Sequence, residues 1–147
     1  IELAKLIPTD LEATFFTISP LVALELAEHS KLTVILIGGQ LSKNAQINIG
    51  ASVINDLSEI KVDICILGAN GIDVKEGITD SDWEVVQVKK AMIKCAAKVA
   101  ILSIAEKLNS VQKMTVCNLN QVTHFITELD PKDASLIPFS KGNFQIY

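Results

Sequence analysis

Short apolar runs alternate along the chain with segments in which apolar residues recur at helical spacing. The runs predict strands and the periodic segments predict helices. Strands are predicted at Ala13–Thr17, Thr33–Ile37 and Val62–Leu67, near Ala100–Ser103, and at Thr115–Cys117, Phe125–Thr127 and Phe144–Tyr147. Helices are predicted from Pro20, over Ala51–Leu57, and over Trp83–Lys98 behind a capping box of Ser81 and Glu84. This alternation indicates an α/β fold with a mostly parallel sheet and flanking helices.

The predicted strands are rich in β-branched residues and hardly alternate with polar ones. This pattern is typical of parallel strands that are buried on both sides. No internal repeat and no linker divides the chain, so we expect a single domain over residues 1–147.

One lysine of the longest predicted helix has an unusual position. A helical projection places the sheet-facing stripe at Val85, Val88, Met92 and Ala96, and a solvated lysine face at Lys90, Lys94 and Lys98. Lys89 projects inside the apolar arc instead. A lysine there must snorkel to solvent, pair with an acid, or meet a ligand anion in a cleft.

Ligands of open α/β sheets bind at the carboxyl ends of the strands. Small and polar residues, which allow a bound group to approach the backbone, follow the predicted strands. They are Thr17 and Ser19, Gly38 and Gly39, residues 68–71, residues 103–107, and Thr127 and Glu128. Glycines also end strands simply to make turns, and no GxGxxG or GxxxxGK[ST] motif indicates a nucleotide.

Composition and charge argue against three classes of chain: disordered chains, nucleic-acid-binding domains and membrane-spanning segments. Of the 147 residues 49% are apolar, which excludes general disorder. Thirteen Lys and Arg against 17 Asp and Glu give a net charge of −4, which argues against this chain itself holding nucleic acid. The longest apolar stretch is interrupted by Pro20 and Glu25 and is too short to cross a bilayer.

Cysteine and histidine usage points away from metal and disulfide chemistry. Cys65, Cys95 and Cys117 are odd in number and lie in apolar contexts, as buried thiols in a reducing cytoplasm do. With two histidines in the chain, we expect no metal site. No nucleophile elbow and no HExxH motif is present. The acidic run Asp73, Glu76, Asp80, Asp82 and Glu84 is expected to be a solvated loop before a helix N-terminus.

Three stretches together resemble the effector domain of the DeoR family of bacterial transcriptional regulators of sugar metabolism. They are TISPLVALELAEHSKLTVILIGGQLSKN from Thr17, GANGID from Gly68, and VKKAMIKCAAKVAIL from Val88. The resemblance implies a ribose-5-phosphate isomerase/CoA-transferase-like α/β domain that binds a phosphorylated sugar or related metabolite and forms homo-oligomers. The family joins this domain to an N-terminal winged helix, which is absent here. We therefore expect an isolated sensor half whose first strand, before Ile1, is missing or supplied by another chain.

The resemblance also implies which residues bind the effector. The family's Thr-Asn-Ser matches residues 17–19, its Gly-Ala-Asp-Gly matches residues 68–71, the lysine of its VKRAM string matches Lys89, and a later lysine matches Lys107. The implied effector-binding residues are Ser19, Gly38, Gly39, Asn70, Gly71, Lys89 and Lys107. We expect Lys89 to pair with an anionic effector, with Lys107 as a second cation. Lys89→Met is then expected to spare folding, because Met keeps most of the apolar stem.

Several family positions hold other residues in this chain. Ile18 replaces an asparagine, Asn70 an aspartate, Val85 a glutamate, and residues 104–106 replace Asp-Ser-Ser. The alternatives to a sensor are an aldose–ketose phosphate isomerase and a degenerate domain that serves only oligomerisation. Isomerisation needs a carboxylate base, and Asn70 and Val85 supply none. We therefore expect a cytoplasmic sensor without catalytic residues, cofactor or membrane contact, which reaches DNA only through the absent winged helix.

Overall fold

The structure is a computed structural model that describes residues 1–147. The chain consists of two compact units, Ile1–Leu57 and Ser58–Tyr147. Each unit is built around parallel strands. The expectation that residues 1–147 form one domain stays a prediction.

The first unit contains a parallel strand pair and a hairpin. Its elements are α1 (Glu2–Lys5), β1 (Ala13–Thr17), α2 (Pro20–Ala27), β2 (Leu32–Leu36), β3 (Gln40–Ser42), β4 (Ile47–Ile49) and α3 (Ala51–Ser58), which extends one residue beyond the unit. β1 pairs in parallel with β2, and β3 pairs antiparallel with β4. Its buried apolar residues are Ala4, Ile18, Leu26, Ile37, Ile49, Val53 and Leu57.

The second unit combines a parallel sheet with a small antiparallel one. Its elements are β5 (Val62–Gly68), β6 (Gly71–Asp73), β7 (Gly77–Asp80), α4 (Trp83–Lys94), β8 (Ala96–Leu102), β9 (Met114–Cys117), β10 (His124–Ile126) and β11 (Gln145–Ile146). Three short 3-10 helices lie at Ala105–Lys107, Leu119–Gln121 and Ala134–Phe139. The parallel sheet has the order β11-β10-β8-β5, and the antiparallel sheet has the order β6-β7-β9. The predicted α/β fold with a mostly parallel sheet is confirmed.

The core of the second unit lies on one face of the parallel sheet. Val86 and Ile93 of α4 pack there with Ile101 of β8 and Phe125 of β10. The 3-10 segment Ala134–Phe139 adds Leu136 and Phe139, each 1% exposed. Burial of these aliphatic and aromatic side chains removes a large apolar area from water, the main favourable term in folding.

The helix that was predicted to reach Lys98 ends at Lys94, and the prediction is wrong over its last turn. Residues 96–102 form β8 instead, with Val62 opposite Ala96 and Ile64 opposite Lys98. Alanine and lysine favour helices locally, but pairing with β5 and burial of Val99 and Ile101 outweigh that preference. Lys98 therefore belongs to a strand and not to the lysine face of the helix.

Two further local expectations are corrected. The helix cap is Asp82, whose side chain accepts from the N–H groups of Glu84 and Val85, and not a capping box from Ser81. The expected burial on both sides fails for β5, where Cys65 and Leu67 are buried but Ile64 is 43% exposed.

No helix of the structure combines the length and the apolar character that a membrane crossing requires.

Candidate functional site

Lys89 reaches the carboxyl end of β5. Its ammonium group donates to the Gly68 carbonyl oxygen at 2.8 Å and pairs with the Asp80 carboxylate at 2.7 Å. A snorkelling lysine keeps its charge in water, whereas the Lys89 side chain is only 15% exposed. The snorkelling interpretation is therefore wrong, and the pairing with an acid is confirmed.

Asp80 is the buried acid of this cluster, with a side chain 2% exposed. Its Oδ1 accepts from the Asn70 side-chain amide at 2.9 Å and from the Ser81 N–H at 2.7 Å, with the Asp82 N–H at 3.4 Å. A charge can remain buried only when it is paired and hydrogen-bonded in this way. The expectation of a solvated acidic loop is therefore wrong at Asp80.

Local pairing brings these residues together. β6 and β7 form an antiparallel hairpin in which Gly71 lies opposite Thr79. Asn70 and Asp80 flank that pair and are therefore neighbours. α4 then begins at Trp83, and Lys89 lies within two turns of the helix start. We call Asn70, Asp80 and Lys89 the β5 cluster.

Asp80 is ionised at neutral pH. Burial by itself raises the pKa of its carboxyl group. The hydrogen bond and the positive charge of Lys89, together with the Asn70 amide and the Ser81 N–H, stabilise the charged form more strongly. The pKa of Asp80 therefore lies below its ordinary value of 3.8. The cluster holds one full positive and one full negative charge.

Two glycines beside the cluster have different roles. A Cβ on Gly71 would lie 2.7 Å from both the Ser110 carbonyl oxygen and the Thr79 Oγ1, so this glycine permits close packing of the loop that carries Ser110. A Cβ on Gly68 would meet no atom within 4 Å. Gly71 is thus buried by its own loop, whereas Gly68 faces open space.

Lys107 ends the 3-10 helix that follows β8. Its carbonyl oxygen accepts from the Ser110 hydroxyl at 2.8 Å, and the Ser110 N–H donates to the Ile72 carbonyl oxygen at 3.3 Å. These bonds anchor the Lys107 backbone to the strand that contains Gly71. The Lys107 ammonium group takes part in neither of the salt bridges of the structure, and so it is an unpaired cation.

In the first unit, Ser19 lies at the carboxyl end of β1. It caps α2 by accepting from the Val22 N–H, and its hydroxyl donates to the Gln46 carbonyl oxygen, both at 3.4 Å. The buried Asn48 ties the neighbouring strand ends together. Its side-chain amide donates to the Ile37 carbonyl oxygen at 2.8 Å, and its N–H donates to the Ile18 carbonyl oxygen at 2.7 Å.

Gly38 and Gly39 follow β2 and are both exposed. Their N–H groups donate no backbone hydrogen bond, which leaves two donors for a bound group. A Cβ on Gly39 would lie 2.5 Å from Val53 Cγ2 and 2.8 Å from the Ile49 carbonyl oxygen, whereas one on Gly38 would meet nothing within 4 Å. Gly39 is therefore required for packing, and Gly38 faces open space.

The predicted site residues thus fall into two groups, one in each unit. In the second unit the structure joins Asn70 and Lys89 through Asp80, a residue that sequence analysis assigned to a solvated loop. Lys89 gave a partial signal, because a lysine inside an apolar arc can pair with a buried acid, but nothing in the sequence identified Asp80 as that acid. Asn48 gave no comparable signal, since its role depends on the ends of two strands that pair only in the folded unit.

Two buried thiols and an open cavity lie outside the predicted site residues. Burial raises the pKa of Cys65 to about 12 and that of Cys117 to about 11, so both thiols are unreactive. No three His, Cys, Asp or Glu side chains converge in a way that could hold a metal ion. An open cavity of about 380 Å³ in the second unit is lined by Lys90, Ile93, Lys94, Val116 and Gln121, none of them a predicted site residue.

The second unit has the architecture of the open α/β domains, in which ligands bind at the carboxyl ends of the strands, and its polar cluster lies at such an end. Within that class, the chain belongs to the family of the DeoR C-terminal sensor domain, whose sequence model matches residues 1–129. The resemblance described from the sequence is thereby confirmed.

Several transcriptional regulators are similar to this chain. The HTH-type transcriptional repressor GlcR of Bacillus subtilis is 33% identical over 123 residues, 84% of this chain and 47% of that protein. The HTH-type transcriptional regulator GlpR of Haloferax volcanii is 29% identical over 86% of this chain and 49% of its own length. The L-fucose operon activator of Escherichia coli is 27% identical over 92% of this chain and 55% of its own length. The chain therefore spans about half the length of the curated relatives that it matches.

Proposed function

We propose that this chain is the effector-sensing domain of a transcriptional regulator of sugar metabolism. It binds a phosphorylated sugar or a related metabolite and thereby controls DNA binding by a winged helix elsewhere in the regulator. The observation that carries the proposal is the β5 cluster, a buried, hydrogen-bonded polar group beside the open face of Gly68. Membership of the sensor-domain family and the similarity to GlcR and the L-fucose operon activator support it.

The residues that would contact the effector are those with hydrogen-bonding groups that the protein does not fully use itself. Asn70 and Lys89 of the β5 cluster offer hydrogen bonds beside Gly68, and Lys107 offers an unpaired ammonium group. In the first unit, the N–H groups of Gly38 and Gly39 offer donors to an anion. The Ser19 oxygen, whose hydrogen is donated to the Gln46 carbonyl oxygen, can accept one further hydrogen bond from a ligand hydroxyl. Gly71 contributes by letting its loop pack closely.

The net charge of −4 and the similarity to regulators support a division of roles in which another part of the protein binds DNA. Partner copies of this chain are expected, because the family's domain oligomerises.

The structure also bears on the alternative, an isomerase activity. Isomerisation needs a carboxylate base, and Asp80 supplies a carboxylate that Asn70 and Val85 do not. A general base works best when its pKa lies near the working pH. The pKa of Asp80 is lowered, its side chain is 2% exposed, and Lys89 already occupies its Oδ2. Asp80 is therefore a weak and shielded base, and sensing without catalysis is the better-supported function.

A thermal-shift screen of the full-length protein tests the proposal. The panel contains glucose 6-phosphate, fructose 1-phosphate and glycerol 3-phosphate, with glucose, fructose and glycerol as matched controls. We expect at least one phosphorylated compound to raise the melting temperature in a saturable way, because a ligand that binds only the folded state stabilises it. NMR of the same mixtures should show no isomerised product. A panel without any stabilising member would contradict sensing of this metabolite class, and turnover would favour the isomerase.

A further inference from the structure

We propose that Asp80 sets the ligand class of the β5 cluster: it makes this end of the sheet a subsite for hydroxyl groups and excludes phosphate from it. The proposal rests on the proposed sensor function and deepens it by assigning the sugar part of the effector, and not its phosphate, to this cluster. Asp80 acts through Asn70 and Lys89 and is a positioning residue.

The charge of Lys89 is compensated within the cluster. The Lys89 ammonium group lies 2.7 Å from the Asp80 carboxylate, and no other charged side chain pairs with either group. The two charges cancel, and the negative one is nearly inaccessible, with 2% of the side chain exposed. A phosphate that approached Lys89 would meet the buried carboxylate directly behind it, at a separation where like charges repel strongly in a partly desolvated site.

Most of the hydrogen-bond donors of the Lys89 ammonium group are already used within the protein. An ammonium group has three N–H donors. Lys89 uses one on Asp80 and one on the Gly68 carbonyl oxygen, and so one remains for a ligand. A single donor beside a neutralised charge is a poor phosphate site, because phosphate binding uses several donors and an uncompensated cation.

Asp80 fixes the orientation of the Asn70 side-chain amide. An ionised carboxylate accepts hydrogen bonds only, so Asp80 requires the NH₂ end of the Asn70 amide to face it. The carbonyl oxygen of that amide accepts no hydrogen bond from the protein and is left for the ligand. A ligand at the cluster thus meets an acceptor on Asn70 and a donor on Lys89. A hydroxyl group matches both because it donates and accepts, whereas a phosphate oxygen can only accept.

The space for such a ligand lies beside Gly68. No atom approaches within 4 Å of the position that a Cβ on Gly68 would occupy, and the Gly68 carbonyl oxygen already holds Lys89 in place. The phosphate of the effector must then be bound by groups outside the cluster that still have free donors, such as Lys107.

The test compares Asp80→Asn with wild type in the full-length protein, with inorganic phosphate as the probe in calorimetric titrations. Asn keeps the size of Asp80 and removes its charge, so Lys89 becomes an uncompensated cation. We expect phosphate affinity to rise by about ten-fold or more, the effect of gaining a charged hydrogen bond, and to fall again at high salt. Asp82→Asn is the matched control. It removes the same charge two residues away, from a side chain that does not contact Lys89, and leaves a good helix cap.

An unchanged phosphate affinity in Asp80→Asn, or an equal rise in Asp82→Asn, would overturn the proposal. If Asp80→Asn does not fold, Asp80→Thr serves as the second variant. It removes the same charge, and threonine is suited to a strand end. An independent measurement uses the wild-type protein: the NMR signals of the Asn70 side-chain amide should not move with inorganic phosphate, and saturable movement would also overturn the proposal. These probes give a result even if no sugar phosphate of the screening panel binds, an outcome that contradicts only the proposed function.

Discussion

Among single residues, Lys89 and Asp80 form a buried ion pair whose two members have very different exposure. A buried ion pair contributes little net stability, but removal of one partner leaves an uncompensated charge and is strongly destabilising. Asp80 is more deeply buried than Lys89, with 2% against 15% of the side chain exposed. The larger penalty is therefore expected when the lysine is removed and the carboxylate is left alone.

Lys89→Met should lower the free energy of unfolding by about 3 kcal/mol. The sequence alone predicts almost no effect, because Met keeps the apolar stem, and the buried Asp80 reverses that expectation. Urea unfolding measures the difference, with Lys90→Met as the control because Lys90 is exposed on the next helix position. Adding Asp80→Asn to Lys89→Met should recover part of the loss. Equal stability of Lys89→Met and Lys90→Met would show that the pair is not buried in solution.

Asp80 also predicts how stability depends on pH. Its pKa is lower in the folded state than the value of about 3.9 typical of an unfolded chain. Its ionised form therefore stabilises the protein fully above that unfolded value, and the contribution is lost as the pH falls through the lower folded pKa. In urea unfolding at a series of pH values, the stability difference between wild type and Asp80→Asn should be constant down to about pH 5 and shrink below about pH 4. A difference that grows on acidification would contradict this sign.

Among the elements, the strand ends carry two kinds of glycine. Some are required for close packing and others face open space, and the sequence alone does not show which is which. Gly39→Ala places a Cβ 2.5 Å from Val53, whereas Gly38→Ala meets nothing within 4 Å. We expect Gly39→Ala to cost about 1–3 kcal/mol of stability, as overpacking does, and Gly38→Ala to cost almost none. Gly71→Ala and Gly68→Ala form the same contrast in the second unit. Thermal unfolding of the four variants checks both pairs, and equal losses within a pair would contradict the packing described.

The element order could be predicted where apolar runs are long and isolated. The structure confirms the predicted positions of β1, α2, α3 and β5. Most of their observed ends differ from the predicted ones by no more than one residue. The short strands β3, β4, β6 and β7 were missed, because strands of three or four residues give too little periodicity to detect. The end of α4 was misplaced because residues 96–102 owe their extended form to pairing with β5, which no local pattern encodes.

The candidate site could be predicted only in part. Lys89 stood out because its helical position conflicts with its charge, and the carboxyl end of β5 followed from the general rule for α/β sheets. Asp80 could not be assigned because its burial depends on a hairpin and a helix cap that form around it. One and the same acidic run therefore contains a buried ion-pair partner, Asp80, and a helix cap, Asp82.

At the scale of the whole molecule, large apolar side chains remain on the surface. Leu6 is 77% exposed, Leu24 is 69% exposed and Ile137 is 63% exposed. Exposed apolar surface of this kind favours association. We predict that the chain forms homo-oligomers at micromolar concentration, and an obligate interface would bury more than about 2,000 Å². Sedimentation velocity should give a multiple of 15.9 kDa, and the mass of a single chain at every concentration would contradict the prediction.

Calorimetric titration of the full-length protein tests whether the β5 cluster belongs to an effector site. The ligand is the sugar phosphate that gives the largest thermal shift, and the comparison is between wild type, Asn70→Ala and the exposed control Asn120→Ala. We predict saturable binding that Asn70→Ala weakens by about ten-fold and that Asn120→Ala leaves unchanged. Equal affinities in all three proteins, or no binding to wild type, would contradict the account.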